Sequence, residues 1–377
     1  MRILFISTMS KASWGGSEEL WVKSAGYALD KGHEVFVSIY GWAELPPKIL
    51  ELKKQGAKIL TRKKIYYGST IFQRIKGLIV KKIISPSQIR NLKRCNPDMI
   101  VVSQGTIYEC MTTSFLDLIA ASGAKLKVIT QANSEYETIP AEFFESGQIL
   151  FAKADKLFFV SERNRIVAER QLAMKFDNSL VVSNPANLND YGISKWPRSE
   201  TLNLAFAGRF NSTVKGLGVL LQILSEDNWR ERNWNLNLYG TGEDEDYLKQ
   251  LVTLYDLKNK VFFNGFVNDV KQIWDANHVL LMPSTLEGTP LTLIEAMLCG
   301  RCAVVSDVGG NSELIEEGIS GFVAEAPSLH SFGMALERLW RQKSDLEKFG
   351  VKASERILIK INFNSHKEII ESHGTFF

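Results

Sequence analysis

The chain has 377 residues, of which 45% are hydrophobic and 23% charged, and its formal net charge is +3. A globular chain of this length has enough core for two domains, no apolar run is long enough to span a membrane, and the N-terminus lacks a signal-peptide pattern, so we expect a cytoplasmic protein. Four cysteines do not make a disulfide scaffold, and the pair Cys299 and Cys302 is predicted to be neither a redox centre nor a zinc site.

Short apolar runs alternate with longer helical patterns, which predicts βα units and parallel sheets. The polar stretch at 186–200 has no clear periodicity and is predicted to be a linker. We therefore predict an α/β protein with two doubly wound domains, whose ligands bind beyond the carboxyl ends of the strands. The predicted strands are 3–7, 34–39, 99–103, 127–130, 157–161 and 180–182 before the linker, and 202–208, 236–240, 261–266, 279–284 and 302–307 after it.

The first predicted strand leads into a turn with two adjacent glycines, Gly15 and Gly16, followed by a helix. Adjacent glycines allow the backbone to approach a ligand closely at a helix N-terminus. A plain tight turn is the alternative interpretation. The pattern is not GxGxxG, so a dinucleotide fingerprint is not predicted.

A basic segment follows in the first half. Residues 52–97 contain 13 Lys or Arg and no acid, which leaves 32 basic against 42 acidic residues elsewhere, a balance of −10. Within it, 73–84 mixes cations with Ile, Leu and Val, as an interfacial amphipathic helix does, so peripheral contact with an anionic membrane or a lipid-linked acceptor is one hypothesis. A solvated helix that covers its own sheet is the other. No nucleic-acid motif accompanies the segment, so nucleic acid is not a predicted partner.

In the second half, two cations follow the strand at 202–208. Arg209 comes directly after it, and Lys215 precedes an apolar helical run. Cations between a strand and a helix suit a diphosphate, which they can bind and whose departing charge they can neutralise. The alternative is that the Arg pairs with an acid, as strand-end arginines often do.

The segment EGTPLTLIEAMLCG, residues 287–300, predicts a helix with Thr289 as N-cap and Pro290 at its first position. The amides of Gly288 and Thr289 make an anion site at its N-terminus. Glu295 stands on a face of small side chains that leaves room for a ligand, and a buried carboxylate needs partners. A nucleotide diphosphate sugar would fit between Glu287 and Glu295. The alternative is that Glu295 faces water and Glu287 is an ordinary loop acid.

Taken in order, these features resemble the retaining glycosyltransferases of the GT-B fold, specifically the family called GT4. The match runs through GGSE, AGRF, LYGTGEDEDYL, VFFNGFV and PSTLEGTPLTLIEAMLCGRCAVVSDVGG, and the EGxPxxxxE element is its most specific part. The resemblance implies two Rossmann-like domains facing across a cleft. It also implies an N-terminal acceptor-side domain at 1–185, a donor-binding domain at 200–358, and a last helix at about 360–377 that packs back on the first domain.

The resemblance also implies residue roles. Glu295 would bind the donor ribose, Glu287 the transferred sugar, and Arg209 and Lys215 the diphosphate. Gly16, next to Gly15, would approach the diphosphate from the first domain. The backbone that would contact the sugar and the phosphate belongs to Gly288, Thr289, Pro290 and Leu291. Pro290 has no N–H to donate.

One departure from the family concerns a histidine that many members carry after an N-terminal-domain strand, where this chain reads VITQANSE. Gln131 or Asn133 would occupy that space as acceptor-side candidates, and neither is a general base at neutral pH. We therefore predict that the donor phosphate itself accepts the acceptor's proton, without an enzyme nucleophile.

The expected function is a metal-independent, retaining transfer of sugar from a UDP-, GDP- or ADP-sugar to a glycan or lipid-linked acceptor, in cell-surface polysaccharide synthesis at the inner face of the membrane. No cofactor is predicted. The DxD at Asp244–Asp246 reads as a helix start rather than a metal site. The alternatives are a nucleotide-sugar epimerase, a phosphorylase, which would need pyridoxal phosphate, and a non-catalytic sugar-binding protein, which would normally be exported.

Overall fold

The computed structural model describes residues 1–10, 12–63, 92, 94–105, 110–111, 116, 119–120, 122–188 and 190–372. The chain forms two compact units, Met1–Pro185 with Phe363–Phe377, and Ala186–Asn362. The amphipathic segment at 73–84 lies outside the described residues, so its proposed contact with a membrane stays a prediction. Across the described ranges, no helix combines the length and apolar character needed to cross a membrane.

The first unit contains a fully parallel sheet, which in the described residues has the strand order β3-β2-β1-β4-β5-β6-β7. Its central strands are buried on both faces, as expected of apolar runs covered by helices. The strands are β1 (Arg2–Ser7), β2 (Glu34–Tyr40), β3 (Lys58–Arg62), β4 (Met99–Gln104), β5 (Lys125–Thr130), β6 (Lys156–Phe159) and β7 (Ser179–Val181).

The described helices of this unit are α1 (Ser17–Asp30), α2 (Pro47–Lys54), α3 (Ala141–Lys153) and α4 (Glu162–Leu172), together with the final helix Ser365–Glu371. The final helix packs on α1, where Ile369 and Ile370 join the same apolar core. Lys127, buried in β5, binds the C-terminal end of this final helix. The Lys127 Nζ donates to the carbonyls of Ile369 at 2.8 Å, Ile370 at 3.1 Å and Ser372 at 2.8 Å. An ammonium group satisfies the carbonyls that a helix end leaves unpaired.

The second unit has its own parallel sheet, with the order β10-β9-β8-β11-β12-β13. The prediction of two doubly wound α/β domains is therefore confirmed. The strands are β8 (Leu202–Ala207), β9 (Trp234–Tyr239), β10 (Val261–Gly265), β11 (Val279–Met282), β12 (Cys302–Ser306) and β13 (Gly321–Ala324).

Helices cover both faces of this second sheet, and their buried leucines and aromatic residues form its core. They are α5 (Ser212–Lys215), α6 (Leu217–Leu224), α7 (Asp227–Arg230), α8 (Glu245–Leu254), α9 (Val270–Ala276), α10 (Leu291–Leu298), α11 (Asn311–Leu314), α12 (Leu329–Arg341) and α13 (Leu346–Lys360); the final helix of the chain, Ser365–Glu371, is α14. Cys299 and Cys302 are buried free thiols.

Candidate active site

The candidate site lies at the carboxyl edge of the second sheet, where β8 and β11 end beside helix α10. The Thr292 hydroxyl, in the first turn of α10, donates to the Ala207 carbonyl at the end of β8, at 3.0 Å. Arg209, half-buried, follows two residues later. This bond therefore fixes the N-terminal end of α10 next to the loop that carries the first predicted cation.

Lys215 reaches Glu287 across this edge. The Asn211 side chain caps helix α5 by accepting from the Val214 amide at 3.0 Å, and Gly216 ends the helix with φ +64°. A Cβ at Gly216 would lie 2.0 Å from the Pro283 carbonyl oxygen, so only glycine fits there. The turn leaves the Lys215 Nζ 2.6 Å from the Glu287 Oε1.

The Glu287 side chain is 7% exposed, and it forms an ion pair with this lysine. Removing one partner of a buried ion pair leaves an uncompensated charge, which costs more than losing an exposed pair. The hypothesis that Glu287 is an ordinary loop acid is therefore wrong. A donor diphosphate that bound here would share Lys215 with Glu287.

Two further glycines hold the loop that carries Glu287. The Gly310 amide donates to the Gly288 carbonyl at 2.6 Å. Gly309 has φ +52°, and a Cβ there would lie 2.1 Å from the Glu287 carbonyl oxygen. The sequence reasoning did not select these residues, although adjacent glycines directly after β12 are the signal that could have found them.

Helix α10 begins one residue later than predicted. Pro290 is the N-cap, with an extended ψ of 129°, so the prediction of Thr289 as N-cap was wrong. Proline fixes φ but not ψ, and here ψ stays outside the helical range. Gly288, Thr289 and Leu291 still lie in the turn and first residue of this helix, and their contact with a donor stays a prediction.

Glu295 is 5% exposed, which rules out the interpretation that it faces water. Its Oε1 accepts from the Asn187 amide at 3.0 Å. The predicted open face of small side chains was wrong, because Ala296 and Cys299 are buried at 0% and 1% exposure. The partly exposed part of α10 is therefore its first turn, and the contact of Glu295 with a donor stays a prediction.

The acidic run after β9 has structural partners. The Asp244 carboxylate accepts from the Ser212 amide at 2.6 Å, and Glu245 pairs with Lys249 at 2.7 Å. Asp244 thereby joins the start of α5 to the start of α8. Over the residues whose positions are described, no group of three or more His, Cys, Asp or Glu is arranged to hold a metal ion.

The remaining predicted site residues belong to the first unit. Gly16 is the N-cap of α1 with an ordinary helical φ of −56°, and the Gly15 carbonyl accepts from the Glu18 amide at 3.0 Å. The backbone conformation at these two positions does not require glycine. Close approach of the backbone to a ligand is the remaining explanation for the two glycines, and it is untested.

Gln131 and Asn133 follow β5 and are each 4% exposed. The Asn133 Nδ2 donates to the Asn164 carbonyl at 2.8 Å. Among the described residues, the Gln131 Nε2 and the Asn133 Oδ1 have no hydrogen-bond partner. Buried amide atoms without partners are destabilising, so a bound hydroxyl or water would stabilise them. Their assignment to the acceptor side stays a prediction.

Comparison with known proteins shows which proteins this chain is similar to. Residues 201–342 match the family model described as glycosyl transferases group 1. An uncharacterized glycosyltransferase of Haemophilus influenzae is 25% identical over 338 residues, which cover 88% of each chain. The UDP-Gal:alpha-D-GlcNAc-diphosphoundecaprenol alpha-1,3-galactosyltransferase of Escherichia coli is 35% identical over 107 residues, which cover 28% of each chain.

Among solved structures, HepE of Anabaena in complex with UDP superimposes with a TM-score of 0.74 at 16% identity, with 98% of each chain covered. The complex of HepE with UDP-glucose gives a TM-score of 0.72 at 17% identity, again with 98% of each chain covered. At such identities the likeness shows the fold. The matched family model covers residues 201–342, so the likeness to the group 1 glycosyltransferases belongs to that part of the chain.

Proposed function

We propose that this protein is a retaining glycosyltransferase that moves a sugar from a nucleoside diphosphate sugar to a glycan or lipid-linked acceptor in cell-surface polysaccharide synthesis. The observation that carries the proposal is the buried ion pair between Lys215 and Glu287 at the carboxyl edge of the second sheet. It brings a cation of the kind that can bind phosphate within 2.6 Å of a carboxylate that can accept hydrogen bonds from hydroxyl groups.

In this proposal each group meets one part of the donor. Arg209 and Lys215 hold the diphosphate, Glu287 accepts hydrogen bonds from the transferred sugar, and Glu295 accepts them from the ribose hydroxyls. The amides at the start of α10 add donors for phosphate or sugar oxygens. UDP and UDP-glucose bind to HepE, which makes uridine the first donor base to test.

The proposed class of acceptor is supported by the name of a relative. The name of the Escherichia coli galactosyltransferase specifies a sugar carried on diphosphoundecaprenol. A lipid-linked saccharide is therefore the acceptor we propose first. The amphipathic segment at 73–84 remains a proposed contact with the membrane that would carry it.

The proposed reaction retains configuration without a covalent enzyme intermediate. The bond between the sugar anomeric carbon and the donor phosphate oxygen breaks, and the acceptor oxygen bonds to the same carbon from the same face. The acceptor proton passes to the departing phosphate, and the two cations neutralise the charge that develops there. Glu287 is neutralised by Lys215, which favours a binding role over attack on the sugar.

The test begins with thermal unfolding in the presence of UDP, GDP and ADP and their sugars, because a ligand at 100 times its Kd adds about 2.7 kcal/mol to stability. The stabilising donor is then incubated with acceptors, and NMR determines the anomeric configuration of the product. We expect release of nucleoside diphosphate, retained configuration and activity in EDTA. An isomerised donor without acceptor would indicate an epimerase, and binding without release a sugar-binding protein. An inverted product, or a glycosyl group trapped on Glu287, would contradict the mechanism.

A further inference from the structure

A small cavity lies at the carboxyl edge of the first sheet, beside the turn that carries Gly15 and Gly16. Its polar lining comes from Ser7, Ser13 and Glu18, and its walls include Trp14 and Trp42 together with apolar side chains of β2 and α2. The volume is about 10 Å³. That is space for one water-sized group, far too little for a sugar ring.

Glu18 is the charged group of this cavity, and it is 5% exposed. The Ser7 hydroxyl donates to its Oε2 at 2.8 Å. Arg62, buried in β3, donates to the Ser7 carbonyl and lies within electrostatic reach of Glu18. A hydroxyl donor and a nearby guanidinium thus compensate the buried carboxylate.

An ionised carboxylate only accepts hydrogen bonds, so it favours a ligand group that donates one. A hydroxyl or an amide N–H fits this requirement. A phosphate or carboxylate group of a ligand would be repelled. The cavity is therefore suited to a neutral part of a ligand, in contrast to the cationic edge of the second sheet.

The indole of Trp14 is held in a fixed orientation beside Glu18. Its Nε1 donates to the Glu19 Oε1 at 2.9 Å, and Lys48 pairs with the same carboxylate while its Nζ lies 5.9 Å from the centre of the indole ring. Glu19 and Lys48 thus determine where the apolar surface of the indole points. Pockets that recognise small ligands combine such apolar walls with a few fixed polar groups.

We propose that this cavity is a specificity pocket for the acceptor and takes the exocyclic hydroxymethyl group of a neutral hexose, with Glu18 accepting the hydrogen bond of its hydroxyl. This inference rests on the proposed function, since it identifies the pocket's ligand as the acceptor. The hydroxymethyl group is the one hydroxyl-bearing group of a hexopyranose that projects from the ring on its own carbon. It can therefore enter a narrow cavity while the ring stays outside.

The test measures saccharide binding to the full chain by NMR titration without nucleotide. Three pairs of methyl pyranosides differ only in the hydroxymethyl group: glucoside and xyloside, galactoside and arabinoside, and mannoside and lyxoside. We expect at least one hexoside to bind about tenfold more tightly than its pentoside partner. Methyl glucuronide, which carries a carboxylate at the same position as the glucoside's hydroxymethyl group, should bind more weakly than the glucoside.

Two variants and one control variant test whether the preference for the hexoside arises in this cavity. Ser13→Leu places a larger side chain at a position that lines the cavity and should remove the preference for the hexoside, whereas Ser10→Leu, equally exposed in the same loop but outside the lining, should keep it. Glu18→Gln replaces the carboxylate by an amide and should lower hexoside affinity and relieve the discrimination against glucuronide. Thermal unfolding of each variant shows whether it is folded.

The outcomes separate this inference from the proposed function. If UDP, GDP or ADP stabilises the protein but no saccharide binds, or no pair differs, or Ser13→Leu keeps the preference, the pocket assignment is overturned and the proposed donor site stands. If no nucleotide or nucleotide sugar stabilises the protein, the proposed function fails, and the saccharide titrations still decide whether the cavity recognises a hydroxymethyl group.

Discussion

The carboxyl edges of the two sheets share a backbone topology but differ in the side chains that their loops carry. In the second unit, Arg209 and Lys215 place positive charge beside the start of a helix. In the first unit, the edge carries the carboxylate of Glu18 and the neutral amides of Gln131 and Asn133. The parallel sheet provides the location of a site, whereas the loops that follow the strands determine the charge of its ligand.

The largest expected effect tests whether the cationic edge acts in catalysis. Lys215→Ala should lower the rate of sugar transfer by about two to three orders of magnitude, as expected for losing one charge-stabilising group. The control is Lys249→Ala, which removes an exposed ion pair with Glu245 in the same unit and should leave the rate unchanged. The measurement is kcat for nucleoside diphosphate release, with thermal unfolding recorded for both variants. A near-normal rate for Lys215→Ala would remove this lysine from the site.

The second prediction concerns the loop that presents Glu287. Gly309→Ala places a Cβ 2.1 Å from a backbone oxygen, whereas Gly318→Ala meets nothing within 4 Å at a similar positive φ. Both variants carry the strain of φ > 0, so their difference isolates the clash. We expect Gly309→Ala to reduce the free energy of unfolding by about 1–3 kcal/mol more than Gly318→Ala, and to weaken donor binding.

Urea unfolding measures the stability difference, and UDP titration measures the loss of binding. Equal stability of the two glycine variants would show that the loop can shift to accommodate the added Cβ without a loss of stability. The close contact of Gly309 with the loop would then not be what fixes the position of Glu287.

A smaller effect is expected at Glu295. Glu295→Gln keeps an oxygen for the Asn187 amide but loses the charge, and hydrogen bonds to charged groups contribute about 1.5–3 kcal/mol. We expect UDP affinity to fall by about tenfold or more, measured by isothermal titration, with the affinity for inorganic diphosphate unchanged. Unaltered UDP affinity would show that Glu295 supports the linker segment at Asn187 rather than the ribose.

The last prediction sharpens the comparison from inside the first unit, where Lys127 is buried and its partners are backbone carbonyls. Burial lowers the pKa of Lys127 from its ordinary 10.5 to about 8. Between these two values the unfolded chain holds a proton that the folded protein has released, so the free energy of unfolding rises with pH from about 8 to 10.5.

Lys127→Met should lack this rise, and the difference between the two urea-unfolding profiles measures it because other groups cancel. The variant also leaves the carbonyls at the end of α14 without their donor. Hydrogen exchange at Ile369 and Ile370 should therefore be faster than in the unaltered protein. Parallel pH profiles would contradict the assigned titration.

Much of the fold could be predicted because apolar strand runs recur between helical patterns. Two strands were missed for physical reasons. Lys58–Arg62 begins and ends with a cation and resembles the basic segment around it, and Gly321–Ala324 has four residues with a glycine at its start. Both are edge strands, which need less continuous apolar sequence than central ones.

The candidate site was predictable in its residue types but not in its pairings. The sequence indicated Lys215 and Glu287 separately, while the ion pair joins positions 72 apart in the chain. Lys127 reads as a surface residue two positions after Lys125, and its carbonyl partners lie more than 240 positions later. Such contacts depend on tertiary packing, which local pattern does not specify.

The return of α14 to the first unit affects the order in which the protein can assemble during synthesis. The second unit is continuous, Ala186–Asn362, whereas the first needs residues from Phe363 onward to complete the core around α1. A growing chain can therefore finish the later unit while the earlier one still exposes an apolar surface, although domains commonly complete in N-to-C order. For this polypeptide, the part made first is the part completed last.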